Sequence, residues 1–288
     1  MVRETTQSSG VGLEQSCGSP AANWLRSQGP VDGLELLEAV FATVSYEKHR
    51  HDTYAFCLTT GGVQAFTYRG TEETSVPGQV VILHPDEAHD GRPGAAGGYS
   101  YRQIYVQPVA IFEAMLTLTG RGACLPFVRS PVVSDARIQM AILTAFANGL
   151  EPLAVDSSIV SLAEALLSIA RWPGRPASRT LDLVSINLAR EFLDAEKSRV
   201  VRSAELERVT GLSRYELARQ FRLACGTSPY RYLLMRRLEF ARERLAATGR
   251  LVDVALDAGF ADQAHFTRTF KAAFGLTPAS YQASIQAH

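Results

Sequence analysis

The sequence predicts an α+β protein in two parts, the first built of short strands followed by helices and the second of helices alone. Three observations predict it. Between residues 34 and 107, short runs rich in Val, Ile, Tyr, Phe and Thr alternate with Gly and Pro, the rhythm of a β-sandwich or barrel. From residue 181 onward apolar residues recur only at helical spacing. The second half also aligns on itself at a shift of 49 residues, which brings Leu217 onto Phe266, Arg219 onto Arg268, Phe221 onto Phe270, Gly226 onto Gly275, Pro229 onto Pro278 and Tyr232 onto Tyr281.

The 288 residues are 46% hydrophobic and 20% charged, a balance that excludes intrinsic disorder for most of the chain. At about 100 to 200 residues per domain the length fits two domains. No run approaches the roughly 18 consecutive apolar residues of a membrane span, and the first twenty residues lack the order of a signal peptide. A cytoplasmic protein without membrane association is therefore expected. Cys17, Cys57, Cys124 and Cys225 show no metal or redox spacing and read as unpaired thiols. Residues 1–175 carry 12 Lys or Arg against 17 Asp or Glu, a net of −5, and residues 176–288 carry 17 against 12, a net of +5. A basic second half suits a polyanionic partner.

Taken in order, residues 1–33 are rich in Ser, Gly, Thr and Gln without periodicity and read as a flexible arm. Strands are expected at 51–59, 63–68, 78–83 and 99–106, parted by Gly61-Gly62, Arg69-Gly70, Pro77-Gly78 and Pro93-Gly94. Helical stripes follow: Ile111, Met115 and Leu118; Ile138, Ile142, Leu143 and Phe146; Ile159, Leu162, Leu166 and Ile169. These amphipathic helices would pack on the barrel or on a second subunit and close a domain at 34–172. A Pro/Gly-rich break places a linker at 173–180, and a domain at 181–288 opens with a helix over 181–193, with Leu181, Val184, Leu188 and Phe192 on one face.

Each copy of the repeat reads as a short helix, a glycine turn and a second helix: 203–210, Gly211 and 213–224; then 251–258, Gly259 and 262–274. Ser213 and Asp262 suit the N-caps, and glycine suits the left-handed turn between the helices. This is helix-turn-helix grammar, in which the second helix enters the DNA major groove. Arg214, Tyr215, Arg219 and Arg222 lie away from Leu212, Leu217 and Phe221; Gln263, His265, Arg268 and Lys271 oppose Phe260, Phe266 and Phe270. Arg pairs bidentately with guanine, Gln with adenine, and either basic residue with phosphate; Arg268 and Lys271 are assigned to phosphate first. A helix over 229–247, opened by Pro229 and closed by Gly249, with Leu234, Leu238, Ala241 and Leu245 on one stripe, would hold the two readers about one DNA turn apart, roughly 34 Å. A helical scaffold with solvated arginines is the competing reading. The duplication, the basic excess and the polar residues at both reading positions favour DNA.

The runs LSRYELARQFRLACGTSPYRYLLMRRLEFARERL and VALDAGFADQAHFTRTFKAAFGLTPASY resemble the DNA-binding domain of the AraC family of bacterial transcription regulators over about residues 181–281. The resemblance rests on Gly259-Phe260, on His-Phe-x-Arg-x-Phe-Lys at 265–271, and on the Gly-x-[Ser/Thr]-Pro closings at 226–229 and 275–278. It implies seven helices, with reading residues Arg214, Tyr215, Ala218 and Arg219 in one helix and Gln263, Ala264 and His265 in the other. Ala218 and Ala264 offer a base no more than a methyl contact. The first half resembles the same family's sensor domain, a cupin-like β-barrel followed by dimerisation helices. The cupin pattern places His-x-His and then Glu on one strand pair, and Gly, Pro, Gly and His on another. This chain has His49 and His51 but Ala55 where the Glu falls; it has Gly78, then His84 at the Pro position, Asp86 at the second Gly position, and His89.

His49 and His51 alternate and so would share one side of a strand. Facing inward, they could meet His89 on a divalent metal, hydrogen-bond a small polar effector, or satisfy one another near the barrel mouth. Without the Glu the last two readings are favoured, and no cofactor is expected. Tyr54, Gln64, His84, Tyr101 and Arg102 complete the expected effector pocket, where Arg102 would suit an anion. The resemblance implies a ligand-responsive, sequence-specific regulator rather than an enzyme. It would be an activator and a homodimer, bind double-stranded promoter DNA through two successive major grooves, engage RNA polymerase, and sense a small-molecule effector in the barrel. Two alternatives stand beside it: a regulator controlled by a partner protein, and a metal-dependent cupin enzyme fused to a DNA-binding module.

Overall fold

The structure, a computed structural model, describes residues 23–43, 45–120, 125–170, 181–247 and 250–286. The first part contains β1 (Trp24–Val31), β2 (Leu34–Phe41), β3 (Tyr46–His49), β4 (Tyr54–Gly62), β5 (Gln64–Tyr68), β6 (Thr71–Ser75), β7 (Val80–Leu83), β8 (His89–Pro93) and β9 (Tyr99–Val106). Helix α1 (Pro108–Thr119), the short β10 (Val132–Val133), α2 (Ala136–Asn148) and α3 (Pro152–Ile169) follow. One sheet runs β1-β2-β9-β4-β7-β10 and the other β3-β8-β5-β6, which together form the cupin-like barrel of the expectation.

Strand alternation divides this part into two cores, because successive side chains of a strand leave on opposite faces. Tyr54, Phe56 and Leu58 of β4 and Ile104 and Val106 of β9 face the helices, where they meet Ile111, Met115, Ile142, Leu162 and Leu166. Ala55, Cys57, Tyr99 and Tyr101 face the opposite sheet, with Leu37, Phe66 and Val81. Helix α3 is long and apolar enough by composition to cross a membrane. Here Val155, Ile159, Leu162 and Leu166 are core residues instead.

Two sequence expectations are corrected here. The arm through residue 33 gives way to β1, which pairs with β2 in the register Trp24↔Val40 and Ser27↔Leu37. Its few apolar residues hide it in the sequence, because an edge strand takes its stability from backbone pairing with its neighbour; residues 1–22 lie outside the described residues. His49 and His51 do not share a strand either, since β3 ends at His49 and His51 stands in the connection to β4. The linker at 173–180 and Gly249 also lie outside the described residues.

The second part is all helix, with seven helices among the described residues: α4 (Leu183–Ala195), α5 (Ser203–Thr210), α6 (Arg214–Cys225), α7 (Pro229–Ala246), α8 (Leu251–Asp257), α9 (Gln263–Phe274) and α10 (Pro278–Gln286). Each helix-turn-helix unit has its own core, and α7 joins them. Tyr232 and Leu233 belong to the core of α4, α5 and α6, whereas Leu234, Leu238, Ala241 and Leu245 belong to that of α8 and α9. The buried face of α4 differs from the expected stripe: Ser185, Ile186, Ala189 and Leu193 are inside, and Val184 and Leu188 are 72% and 40% exposed. The small Ala189 permits close approach, and the Ser185 hydroxyl meets Asp182 and the Thr210 carbonyl. Leu118 and Leu143, also expected inside, are exposed as well.

Candidate functional site

The two reading helices start and stop by local chemistry. Ser213 accepts from the backbone N–H of Glu216, and Asp262 accepts from that of His265 at 2.6 Å, so both N-caps hold free amides of the first turn. Gly211 and Gly259 turn the chain at φ +71° and +76°, and Gly226 and Gly275 close α6 and α9 at +70° and +72°, a region that a side chain resists.

On α6, Arg214, Tyr215, Arg219 and Arg222 are exposed and Ala218 is half-buried; on α9, Ala264 and Arg268 are exposed and Gln263, His265 and Lys271 are half-buried. Several of these groups are already engaged. Arg214 meets Glu207 at 3.3 Å, Arg219 meets Glu216 at 2.6 Å, and the His265 ring stands edge-on to Phe260. Lys271 reaches across to Glu47 of β3 at 2.8 Å. Exposed pairs of this kind are weak and salt-sensitive, so a phosphate can exchange for them.

The helical part is seated on the barrel. The amides of Glu47 and Arg50 donate to the carbonyls of Gly275 and Ala272 at 3.4 and 3.2 Å. A Cβ placed on Gly275 would lie 3.1 Å from His49 Nδ1, and one on Gly226 would lie 2.9 Å from Pro85. Two buried ion pairs cross the same seam: Arg236 with Asp52 at 3.1 Å and Arg242 with Glu35 at 2.7 Å. Burial raises the Asp52 carboxyl above the usual range, partly offset by the Arg236 charge. Burial pushes Glu239, which accepts from Arg236, up to about 7 against the pull of the same guanidinium.

A cavity of about 90 Å³ opens between the two sheets, and α7, α9 and α10 contribute Arg242, Phe274 and Tyr281 to its wall. Of the expected effector residues, His49, His51, Gln64, His89 and Tyr101 line it. Tyr54, His84 and Arg102 do not. Tyr54 faces the helices and donates to the Pro126 carbonyl; His84 ties Tyr68 and Arg69 to the Val128 amide. Arg102 is on the even-numbered face of β9, paired with Glu38 and stacked on Phe146. The odd-numbered face of β9 instead supplies Tyr99, Tyr101, Gln103 and Tyr105, a period-2 signal that the sequence reading used only at Tyr101. Glu35, Asp52, Glu239 and Arg242 also line the cavity and carry no sequence signal, because their meeting depends on domain packing.

The three histidines sit with ring centroids 4.3, 4.9 and 6.4 Å apart. Each turns Nδ1 to a backbone carbonyl, His49 to Glu47, His51 to Thr53 and His89 to Glu87. Burial lowers all three pKa values, that of His51 to about 3. Among the described residues no group of three or more His, Cys, Asp or Glu is arranged to hold a metal ion. His51 Nε2 and the Tyr99 hydroxyl are buried without a hydrogen-bond partner.

Two capped reading helices with Arg, Tyr, Gln and Lys, joined to a barrel with a cavity lined by aromatic and polar side chains, define a DNA-binding protein with a ligand-binding domain. Residues 33–170 match the AraC-like ligand binding domain and residues 206–284 a helix-turn-helix domain. The transcriptional activator NphR of a Rhodococcus species is 30% identical over 251 residues, covering 80% of this chain and 69% of that protein. The transcriptional regulator YbfI of Bacillus subtilis is 26% identical over 223 residues, covering 76% and 81%. Wild-type ToxT of Vibrio cholerae with an unsaturated fatty acid bound has the same fold at a TM-score of 0.61 and 12% identity, over 91% of this chain and 99% of that one. The chain belongs to the AraC family of transcription regulators.

Proposed function

We propose that this regulator is an activator that reads two successive major grooves of promoter DNA through α6 and α9, and that its cavity controls how those helices are presented. The observation that carries the proposal is the cavity wall itself, which includes Arg242, Phe274 and Tyr281 of the DNA-binding half. An occupant therefore acts on barrel and reader at once, by as much as its affinity differs between the seated and released arrangements. Lys271, expected at phosphate, is held by Glu47 in the seated arrangement, which supports reading it as the less active one.

In this reading Arg214, Tyr215 and Arg219 of α6 and Gln263 and His265 of α9 face base edges, and Arg222, Arg268 and Lys271 face phosphates. Ala218 and Ala264 make methyl contacts only. The apolar residues exposed on α2 and α3, Met140, Leu143, Leu153 and Val160, support a homodimer. An activator at a promoter works in the cytoplasm beside RNA polymerase. No catalytic role is assigned.

The test is selection of bound sites from random duplexes by the full-length protein, and by Asp52→Ala protein in which one seam pair is broken. A two-element motif with about 10 base pairs between centres, enriched more strongly by the variant, supports the proposal. No motif from either protein overturns it.

A further inference from the structure

The cavity wall has a marked charge pattern. Among the described residues that line it, Glu35, Asp52, Asp90 and Glu239 are acidic, and Arg242 is the one Lys or Arg. That guanidinium already donates to Glu35 at 2.7 Å and lies 5.6 Å from the Phe274 ring centre. Asp52 and Glu239 are already matched by the Arg236 guanidinium and Asp90 accepts from Arg92. Arg242 is therefore the one basic lining group an entering carboxylate could take, and taking it would strand the buried Glu35 without a partner, which is costly. An entering cation meets the opposite situation.

The remaining wall is built for donors and for positive charge. Tyr46, Tyr99, Tyr101 and Tyr105 line the cavity, and the faces of such rings attract cations. His51 Nδ1 lies 3.0 Å from the Thr53 carbonyl and 3.2 Å from the Thr53 hydroxyl; the carbonyl can only accept, which assigns the proton to Nδ1 and leaves Nε2 as an acceptor. That Nε2 is buried and has no donor. A buried acceptor left unmatched is destabilising, and an N–H from a ligand removes that cost.

Size supplies the last constraint. About 90 Å³ is less than the roughly 150 Å³ that admits a benzene, so a ligand with a ring fits only when the Arg242 head group withdraws. Charge, rather than volume, argues against a carboxylate there, because its one basic lining partner is already engaged by Glu35.

We propose that the cavity takes a small organic cation, an amine or guanidine on a short aromatic body, and that this cation replaces Arg242 at Glu35. The inference rests on the ligand-responsive reading above and names the ligand class and the contact it acts on. Loss of the Arg242–Glu35 pair leaves Arg236–Asp52 as the buried ion pair across the seam, which weakens the seating of the DNA-binding half on the barrel.

The experiment uses three probes of one shape, benzylamine, benzyl alcohol and benzoate, titrated calorimetrically into the full-length protein at neutral pH. Benzylamine should bind more tightly than the other two. Glu35→Gln should weaken it tenfold or more, and Arg242→Ala, which removes the internal competitor, should tighten it about tenfold. The opposing result is benzoate as the tightest ligand with loss of its binding in Arg242→Ala, which would mean that Arg242 receives an anion. Binding of none of the three, in wild type or in Arg242→Ala, also overturns the inference. Because Arg242→Ala is expected to gain affinity, a misfolded Glu35→Gln protein does not blur the result. Site selection on DNA fails or succeeds independently, so a regulator with a different ligand class is distinguished from a protein that is not a reader.

Discussion

Arg236 and Asp52 stand 184 residues apart in the chain, yet their side chains meet at 3.1 Å, 7% and 4% exposed. The pair joins α7 of the reader to the connection before β4, and Glu239 shares the guanidinium at 2.8 Å. A buried pair of this kind is weak as a source of net stability, but removal of one member strands the other.

Asp52→Ala should therefore destabilise the protein by about 3 kcal/mol in denaturant unfolding. The double replacement Asp52→Leu with Arg236→Met should recover most of that loss, because no uncompensated charge remains. A double variant as unstable as Asp52→Ala alone would show that the pair does more than neutralise itself.

Two helix-ending glycines, Gly211 after α5 and Gly275 after α9, separate two effects. Gly211→Ala imposes a left-handed residue at φ +71° with nothing within 4 Å of the new methyl group, a cost of about 1 to 2 kcal/mol. Gly275→Ala carries the same backbone cost and also drives a methyl group to 3.1 Å from His49 Nδ1. Thermal unfolding should show the larger loss for Gly275→Ala, and small-angle scattering should show a larger radius for that variant alone.

On DNA, Arg268→Ala should reduce the slope of log affinity against log salt by about one unit, with little change in sequence preference, if it meets phosphate. Arg219→Ala should instead relax preference at one base position and weaken specific binding by about tenfold or more. Reversed outcomes would exchange the two roles.

His51 gives a signed pH dependence. Folding holds its imidazole neutral down to about 3, whereas the unfolded residue takes a proton near about 6.5. Between those values the unfolded chain binds more protons, so the contribution is complete above about 6.5 and falls as pH drops, by up to ~1.4 kcal/mol per unit. Glu239, raised to about 7, works with the opposite sign between its ordinary pKa of about 4.3 and that value. The stability difference between wild type and His51→Gln isolates the histidine and should narrow steadily from pH 6.5 to 4.5. A difference flat across that range would mean that His51 is protonated in the folded protein.

How far the sequence could be read follows the range of the forces involved. Ser213 and Asp262 cap their helices from three residues away, and Gly211 and Gly259 turn a chain that the flanking residues have already committed. Such contacts are local, so the repeat, the turns and the outward reading residues are legible in the residues themselves. Four strands of the barrel, β4, β5, β7 and β9, are legible as runs, but not their faces. Arg102 and Tyr101 are neighbours on β9, and only the placement of α2 beside one face sends Arg102 to Phe146 and leaves Tyr101 in the cavity.

By itself, then, the sequence determined two helix-turn-helix units on a basic half, a strand-rich half before them, and the family to which both belong. The tertiary structure alone decided that the cavity is walled by the reader as well as the barrel, that Glu35 faces Arg242, and that Tyr54, His84 and Arg102 serve the scaffold. The physical reason is separation: Glu35 and Arg242 lie 207 residues apart, and their pairing depends on two cores packing first, which no periodicity along the chain encodes.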